Sequence, residues 1–122
     1  MTADVEAALV AALPPLVGVD VVTQVPRERP AEFVVVVASG GPEVADLVLD
    51  EATVAWEAWA ATSVRAAELA GLVRDAFPAL VGISVGGVLV TDAGSTRPRW
   101  FPDATSGVAR YVGTGRVLFH AA

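Results

Sequence analysis

The stretch TVAWEAWAATSVRAAELAGLVRDAF, residues 53–77, contains a strand pattern followed directly by a helix pattern. Over residues 53–60 the apolar side chains alternate along the chain, which predicts a β-strand. One face of that strand carries Val54, Trp56 and Ala58, and Trp59 makes the other face partly apolar as well. We therefore expect the strand to be central in its sheet, or to have one face against another subunit.

Residues 63–77 are predicted to form the main helix of the protein. Thr62 or Ser63 can cap its first turn, and Pro78 lies at its end. A strand followed by an amphipathic helix is typical of a sheet with helices packed against it. The residues expected to face the sheet recur at helical spacing, and they are Leu69, Leu72, Val73, Ala76 and Phe77.

The rest of the chain is predicted to contain one more helix and several strands. The helix covers residues 3–13, has Thr2 as its cap, and ends at the two prolines that follow. Residues 26–30 and residues 91–107 are predicted loops because they are rich in proline, glycine and polar residues. Strands are predicted at the remaining apolar segments, which are residues 19–25, 33–37, 44–49, 83–90 and 109–119.

The glycines refine this prediction. Gly-Gly-Pro at residues 40–42 predicts a turn, and the pair at residues 86–87 predicts a hairpin or a bulge. Gly113 and Gly115 are likewise interpreted as turn or bulge residues. No glycine group is followed by a helix start, so the sequence predicts no phosphate-binding loop.

The order of these elements predicts an α+β fold. We expect one domain over residues 1–122, with a mixed, largely antiparallel β-sheet and two α-helices packed against it. The valine run at residues 33–37 lacks alternation, which predicts burial on both faces. The longest charge-free run, residues 76–91, contains a proline and is shorter than the roughly 18–20 apolar residues that a membrane span requires. We therefore expect no membrane partner.

The composition excludes several kinds of chemistry. The sequence has no cysteine and one histidine, His120, which excludes disulfides, thiolate zinc sites, cysteine nucleophiles and His-rich metal sites. No serine lies in the G-x-S-x-G motif that would support a Ser-His-acid triad. The acidic residues Glu43, Asp46, Asp50 and Glu51 lack the spacing of a calcium loop. We therefore expect a protein that is not an enzyme and has no catalytic residues, cofactor or metal.

The charge is distributed unevenly along the chain. Residues 1–61 contain ten acidic residues and two arginines, whereas residues 62–122 contain four acidic residues and six arginines. The net charge of −6 argues against a tightly held nucleic acid. An acidic side could instead meet the basic side of a neighbouring copy. The acidic start of the chain does not match a signal peptide, so we expect a cytoplasmic protein.

Two arginine-bearing loops are the best candidates for a partner interface. The first contains Arg27 and Arg29 between prolines, and the second places arginines beside aromatic residues, as interface hot spots do. Alternatively, the aromatic residues of the second loop fasten it onto its own subunit. The candidate subunit or partner interface residues are Arg27, Arg29, Trp59, Arg97, Arg99, Trp100, Phe101 and Asp103.

The order of three landmarks resembles that of a known family. VPRERPAEFV at residues 25–34 leads into a strand that ends in Gly-Gly, and VAWEAWA at residues 54–60 leads into the main helix. PDATSGVARY at residues 102–111 then leads into the last strand. Together they resemble the small tail terminator proteins of long-tailed, siphovirus-type bacteriophages, especially those that infect actinobacteria. The valine run at residues 34–37 departs from the alternating strand with a basic residue expected there.

The resemblance implies a structural role in the virion. Family members form a hexameric ring on the head-proximal end of the tail tube, where they stop tube polymerisation and offer a surface to the head-completion proteins. The implied partners are further copies of the chain, the tail tube protein and a head-completion or stopper protein, with DNA passing through the lumen without specific binding. The implied location is the virion tail, after assembly in the host cytoplasm. The alternatives are another phage neck protein, such as a stopper or head-tail connector subunit, and a small-molecule-binding α+β module.

Overall fold

Seven strands and three helices follow one another along the chain in a computed structural model, which describes residues 5–45 and 49–121. One strand and the longest helix correspond to the stretch that the sequence singled out. The elements are α1 (Val5–Ala12), α2 (Pro14–Val17), β1 (Asp20–Val22), β2 (Phe33–Ala45), β3 (Leu49–Ala60), α3 (Ser63–Ala79), β4 (Ser84–Val85), β5 (Val88–Ser95), β6 (Arg99–Trp100) and β7 (Ala109–Ala121).

All seven strands belong to one mixed sheet. Their order is β1-β2-β3-β7-β5-β4, and β6 pairs with β7 next to β5. The β1–β2 pair is parallel and the other pairs are antiparallel. The helices pack on one side of the sheet, here called the helix face, and the opposite side is the open face. The predicted α+β class, with a largely antiparallel sheet and helices against it, is confirmed.

The valine-rich start of β2 is buried on both faces, as its lack of alternation predicts. Val34 and Val36 lie in the main core beneath the helices. Phe33 and Val35 lie on the open face, where they pack with Trp59 in a second, smaller cluster. The prediction is wrong for Val37, the last residue of the run, whose side chain is 49% exposed on the open face.

The main helix is capped and seated largely as its sequence predicts. The Thr62 side chain accepts a hydrogen bond from the backbone N–H of Arg65 at 3.2 Å, which satisfies one of the free donors of the first turn. Leu69 and Phe77 of the apolar stripe are fully buried. Leu72 was predicted to belong to that stripe, but it is 41% exposed, because its position on α3 turns away from the sheet.

Gly113 and Gly115 have a different role from the predicted turn or bulge. Both lie in β7, in a continuous register with β3. A Cβ atom at Gly113 would lie 2.3 Å from the Trp56 ring, and one at Gly115 would lie 2.2 Å from the Phe77 ring. These glycines therefore provide the space in which two large aromatic side chains cross the helix face of the strand.

Several boundaries in the first half of the chain differ from the predictions. β1 is shorter than the predicted strand at residues 19–25. The turn at residues 40–42 is wrong, because β2 continues through this segment with register shifts and pairs with β3 up to Ala45 and Leu49. The predicted strand at residues 44–49 is therefore divided between β2 and β3, and its residues 46–48 lie outside the described residues. The predicted cap Thr2 and the start of the first helix also lie outside them.

Other boundaries differ because prolines and distant pairing act on the backbone. The two prolines after α1 occupy the first turn of α2, where the missing N–H is tolerated. Pro78 lies inside the last turn of α3. The predicted hairpin at residues 86–87 is confirmed, with both glycines at positive φ. The predicted loop at residues 91–107 is wrong in its first half, because β5 extends to Ser95 and β6 pairs with β7.

Candidate functional site

Four of the eight predicted interface residues meet in one cluster at one end of the open face. The guanidinium carbon of Arg29 lies 5.3 Å from the ring centroid of Trp59. Arg110 lies 5.2 Å from the same ring and 5.2 Å from the ring of Phe101. Arg99 lies 5.3 Å from the Phe101 ring. These five residues, which we call the Arg–aromatic cluster, thus form an alternating series of cations and aromatic rings joined by cation–π contacts.

Trp59 is the buried anchor of this cluster. It is 2% exposed and stacks on Phe33, with ring centroids 5.3 Å apart and an interplanar angle of 16°. Its indole Nε1 donates a hydrogen bond to Glu57 Oε1 at 2.9 Å. The sheet register places Phe33 and Arg110 directly opposite Trp59 on its two neighbouring strands. The position of the indole is therefore fixed by three strands.

Arg110 connects the anchor to the surface, and sequence reasoning missed it. Its side chain is 13% exposed, and its Nη1 lies 3.5 Å from Glu57 Oε2 and 4.0 Å from Asp103 Oδ1. Its Nε donates to the backbone carbonyl of Phe101 at 2.8 Å. In a strand, Arg110 and Tyr111 lie on opposite faces, and the sequence gives no further indication of the partners of Arg110. The aromatic partners of Arg110 come from other parts of the chain.

Asp103 organises a tight turn that joins the two predicted loops. Its carboxylate accepts hydrogen bonds from the Ser106 backbone N–H at 2.9 Å and from the Ser106 hydroxyl at 2.6 Å. The Ser106 hydroxyl, followed by its N–H, lowers the pKa of Asp103 below its ordinary value. Arg29 Nη1 donates to Ser106 Oγ at 3.3 Å. The two loops, which are far apart in sequence, are therefore in direct contact.

The other predicted residues lie outside this network or at its rim. Trp100 is 45% exposed and makes an edge contact with Tyr111, with ring centroids 5.3 Å apart. Phe101, within the cluster, is 47% exposed. Arg27 and Arg97 are exposed and contact no acidic side chain among the described residues. The buried part of the cluster thus holds an exposed rim of arginine and aromatic side chains in place.

One surface groove lies beside the cluster, and another lies next to α1. A groove of about 320 Å³ lies between β6 and β7, beside Arg99. A second groove, of about 390 Å³, lies between α1 and β1. The first groove is lined by Thr96, Arg97, Arg99, Val112, Gly113 and Thr114.

In the part of the chain that the structure describes, no three His, Cys, Asp or Glu side chains are grouped closely enough to hold a metal ion. Within the same residues, every helix is too short or too polar to cross a membrane.

No protein-family profile matches the chain, and no curated protein sequence is significantly similar to it. The functional proposal therefore rests on the family resemblance of the three sequence landmarks and on the arrangement of the residues of this chain.

Proposed function

We propose that the protein is a structural subunit of a ring that caps the head-proximal end of a phage tail tube. In this role it ends tube polymerisation and provides the surface for head-tail joining. The observation that carries the proposal is the Arg–aromatic cluster. Two of the three sequence landmarks, residues 25–34 and residues 102–111, meet there through the contact of Arg29 with Ser106. The third landmark supplies the anchor, Trp59.

The cluster has the properties of a protein-binding surface. Aromatic residues and arginine are enriched in interface hot spots, where a few side chains carry most of the binding energy. Phe101 and Trp100 expose nearly half of their surface, although the backbone on either side is hydrogen-bonded to β7. A side chain that is already held in place loses little conformational entropy on binding. The rim of the cluster is therefore suited to contact a neighbouring subunit or a tail protein.

A ring requires complementary surfaces on neighbouring subunits. Closed rings use heterologous interfaces, in which one surface patch meets a different patch on the next copy. Glu32, Glu51 and Glu57 of the acidic first half pair with arginines of the second half within the subunit, so only the remaining charges are free to meet a neighbouring copy. The net charge of −6 opposes tight binding of DNA phosphates, as suits a ring through which DNA passes without specific binding. The hexameric state and the tube and head-completion partners are proposed from the family resemblance.

Electron microscopy of tail tubes assembled with and without the protein tests this function. We expect rings of the protein at one end of each tube, and tubes of uncontrolled length when it is omitted. The double variant Arg99→Ala, Phe101→Ala should lose the rings. Leu72→Ala, which removes an exposed apolar side chain on α3, is the matched control and should keep them.

Tubes of normal length assembled without the protein would contradict the proposal. Rings bound to the portal adaptor, with no contact to the last ring of the tube, would instead indicate a stopper or connector subunit.

A further inference from the structure

We infer that the exposed aromatic residues beside β6 of one copy of this chain insert into the groove between α1 and β1 of the next copy. The aromatic residues, here called the aromatic rim, are Trp100 and Phe101. The groove, here called the apolar groove, is the one of about 390 Å³ beside β1. The inference rests on the proposed ring and specifies which two surfaces of neighbouring subunits meet in it.

The aromatic rim is exposed and already held in place. Trp100 pairs with Tyr111 in the sheet and contacts its ring edge-on. The Phe101 N–H donates to the Arg110 carbonyl at 3.0 Å, which fixes the backbone that carries both rings. Because each side chain is nearly half exposed, covering both would remove roughly as much surface from water as one whole aromatic side chain, about 150–250 Å². The rim therefore gains from an apolar partner and loses little entropy on meeting it.

The apolar groove runs along the outer edge of the sheet. Val21 and Val22 both line it, and successive residues of a strand point to opposite faces, so the groove follows the edge of β1. Val10 of α1 and Pro26 of the following loop add apolar walls. Its volume of about 390 Å³ lies within the range of roughly 300–1,000 Å³ found for pockets that receive small molecules. The groove thus has room for an aromatic side chain.

The charges beside the aromatic rim are positive and lack an acidic partner. Arg97 and Arg99 precede the rim in the chain, and both are exposed. Among the described residues, neither lies within salt-bridge distance of a carboxylate. Guanidinium groups only donate hydrogen bonds, and their strongest partners are carboxylates or phosphates. A surface that receives the rim should therefore carry carboxylates at its border.

The residues that border the apolar groove supply such carboxylates. Asp20 directly precedes the groove residues and Glu28 follows them, and both are exposed. Neither is paired with an arginine in the part of the chain that the structure describes. Arg27 is exposed beside Glu28, whereas Arg29 is engaged in the Arg–aromatic cluster. The unpaired charge around the groove is therefore negative in balance and complements that of the rim.

The two surfaces of one chain lie on different sides of the sheet. One row of paired residues crosses from β1 to β6, and its members are Val22, Val35, Glu57, Val112 and Arg99. Its four interstrand steps correspond to about 19 Å along the sheet, which exceeds the reach of a side chain. The rim therefore reaches the groove of another copy only, and such a head-to-tail contact generates a ring when its rotation closes. Since every copy carries both surfaces, a second copy is the occupant that the charges and the apolar walls favour.

Two substitutions, one on each surface, test the contact in the whole protein. Trp100→Ala removes half of the aromatic rim, and Thr23→Trp fills the apolar groove from an exposed position in its wall. We expect each to weaken self-association by at least about tenfold in sedimentation velocity, as substitutions at an interface hot spot do. Leu72→Ala and Leu72→Trp are the matched controls, because Leu72 is exposed on α3 and turned away from the sheet. Both controls should associate as the native protein does.

Charge reversal tests which surfaces meet. Arg97→Glu with Arg99→Glu reverses the rim side, and Asp20→Arg with Glu28→Arg reverses the groove side. Each double reversal should weaken self-association by at least about tenfold, because like charges then meet across the interface. The quadruple variant should return to within about threefold of the native protein, and an equimolar mixture of the two double variants should assemble.

The control charges, Arg74 and Asp75, are exposed on α3. Arg74→Glu and Asp75→Arg should each leave self-association unchanged, and circular dichroism should show that every variant is folded. Native-like association of Trp100→Ala or of Thr23→Trp would overturn the inference while leaving the proposed ring intact. Weakened association that the quadruple charge variant does not restore would also overturn it.

Two further results separate the inference from the proposed function. Rings of Trp100→Ala that form normally but no longer bind tail tubes would show that a tail protein receives the aromatic rim, and would overturn the inference alone. A native protein that forms no rings, alone or on tubes, would contradict the proposed function as well.

Discussion

Replacement of Gly115 by alanine tests how the main helix is seated on the sheet. Gly115 lies in β7 beneath α3, and an added Cβ atom would lie 2.2 Å from Phe77 Cε1 and 2.4 Å from Phe77 Cζ. Ordinary carbon–carbon contacts are about 3.5–4.0 Å, so the ring would have to retreat by more than ~1 Å. Phe77 is fully buried, so there is no open space into which the ring can move.

The expected cost follows from two opposing effects. Overpacking of a tight core costs about 1–3 kcal/mol. Alanine also restricts the unfolded chain relative to glycine, which recovers about 0.4–1 kcal/mol. We therefore expect Gly115→Ala to lower the free energy of unfolding by about 1–2 kcal/mol. For a domain of this size the Tm should fall by roughly 4–8 °C.

Urea denaturation followed by circular dichroism measures this change, and Gly94→Ala is the matched control. Gly94 lies in the neighbouring strand β5, and a Cβ atom there would meet nothing within 4 Å. The control should be neutral, or more stable than the native protein by up to about 1 kcal/mol. If Gly115→Ala is as stable as Gly94→Ala, Phe77 does not pack on Gly115 and the described position of α3 is wrong.

Three further changes test other parts of the structure. Phe77→Ala should lower the free energy of unfolding by about 3–5 kcal/mol in urea denaturation, because it empties a fully buried site; a loss below about 1 kcal/mol would contradict that burial. Arg110→Met should destabilise the protein by about 1–3 kcal/mol and increase proteolysis near Phe101, because its ion pair with Glu57 and its bond to the Phe101 carbonyl are lost; unchanged cleavage would contradict this role. Stability should also decline at acid pH. Since the folded pKa of Asp103 is lowered by Ser106, its contribution is complete above the ordinary value of 3.8 and is lost as the pH falls through the lower folded value. Ser106→Ala should make the loss of stability below about pH 4 shallower, and an unchanged profile would contradict the assignment.

Local periodicity predicted the elements whose structure depends on neighbouring residues. The strand at residues 53–60 and the helix at residues 63–77 are both confirmed, since alternation and the 3.6-residue repeat act within a few residues. The cap at Thr62 is confirmed for the same reason. Leu72 shows the limit of this approach, because an apolar residue at the edge of a stripe can remain exposed.

The features that the sequence did not predict arise from contacts between segments that are far apart in the sequence. The glycines and proline at residues 40–42 favour a turn, but pairing with β3 keeps the chain extended through them. Gly113 and Gly115 are small because rings from β3 and α3 cross over them. Neither contact can be recognised from the residues that are adjacent to the glycines in the sequence. The predicted turns were therefore wrong for a nonlocal reason.

The sequence predicted four residues of the candidate site but did not predict Arg110, which lies at its centre. Arg29, Trp59, Arg99 and Phe101 stood out because arginine and aromatic residues recur in interfaces. Arg110 joins them only when β7 lies beside β3 and the segment after β6 folds back over it. Arg110 lies directly opposite Trp59 on the neighbouring strand, and this pair can be recognised once the register of β3 with β7 is known. The sequence alone does not supply that register.

Electron microscopy of tail tubes assembled with the native protein and with the Arg97→Glu, Arg99→Glu double variant tests the central claim most directly. We expect the native protein to form one ring on one end of each tube and to fix tube length. We expect the double variant, although folded, to leave the ends bare and the tubes uncontrolled in length. Tubes of normal length in the complete absence of the protein would contradict the claim.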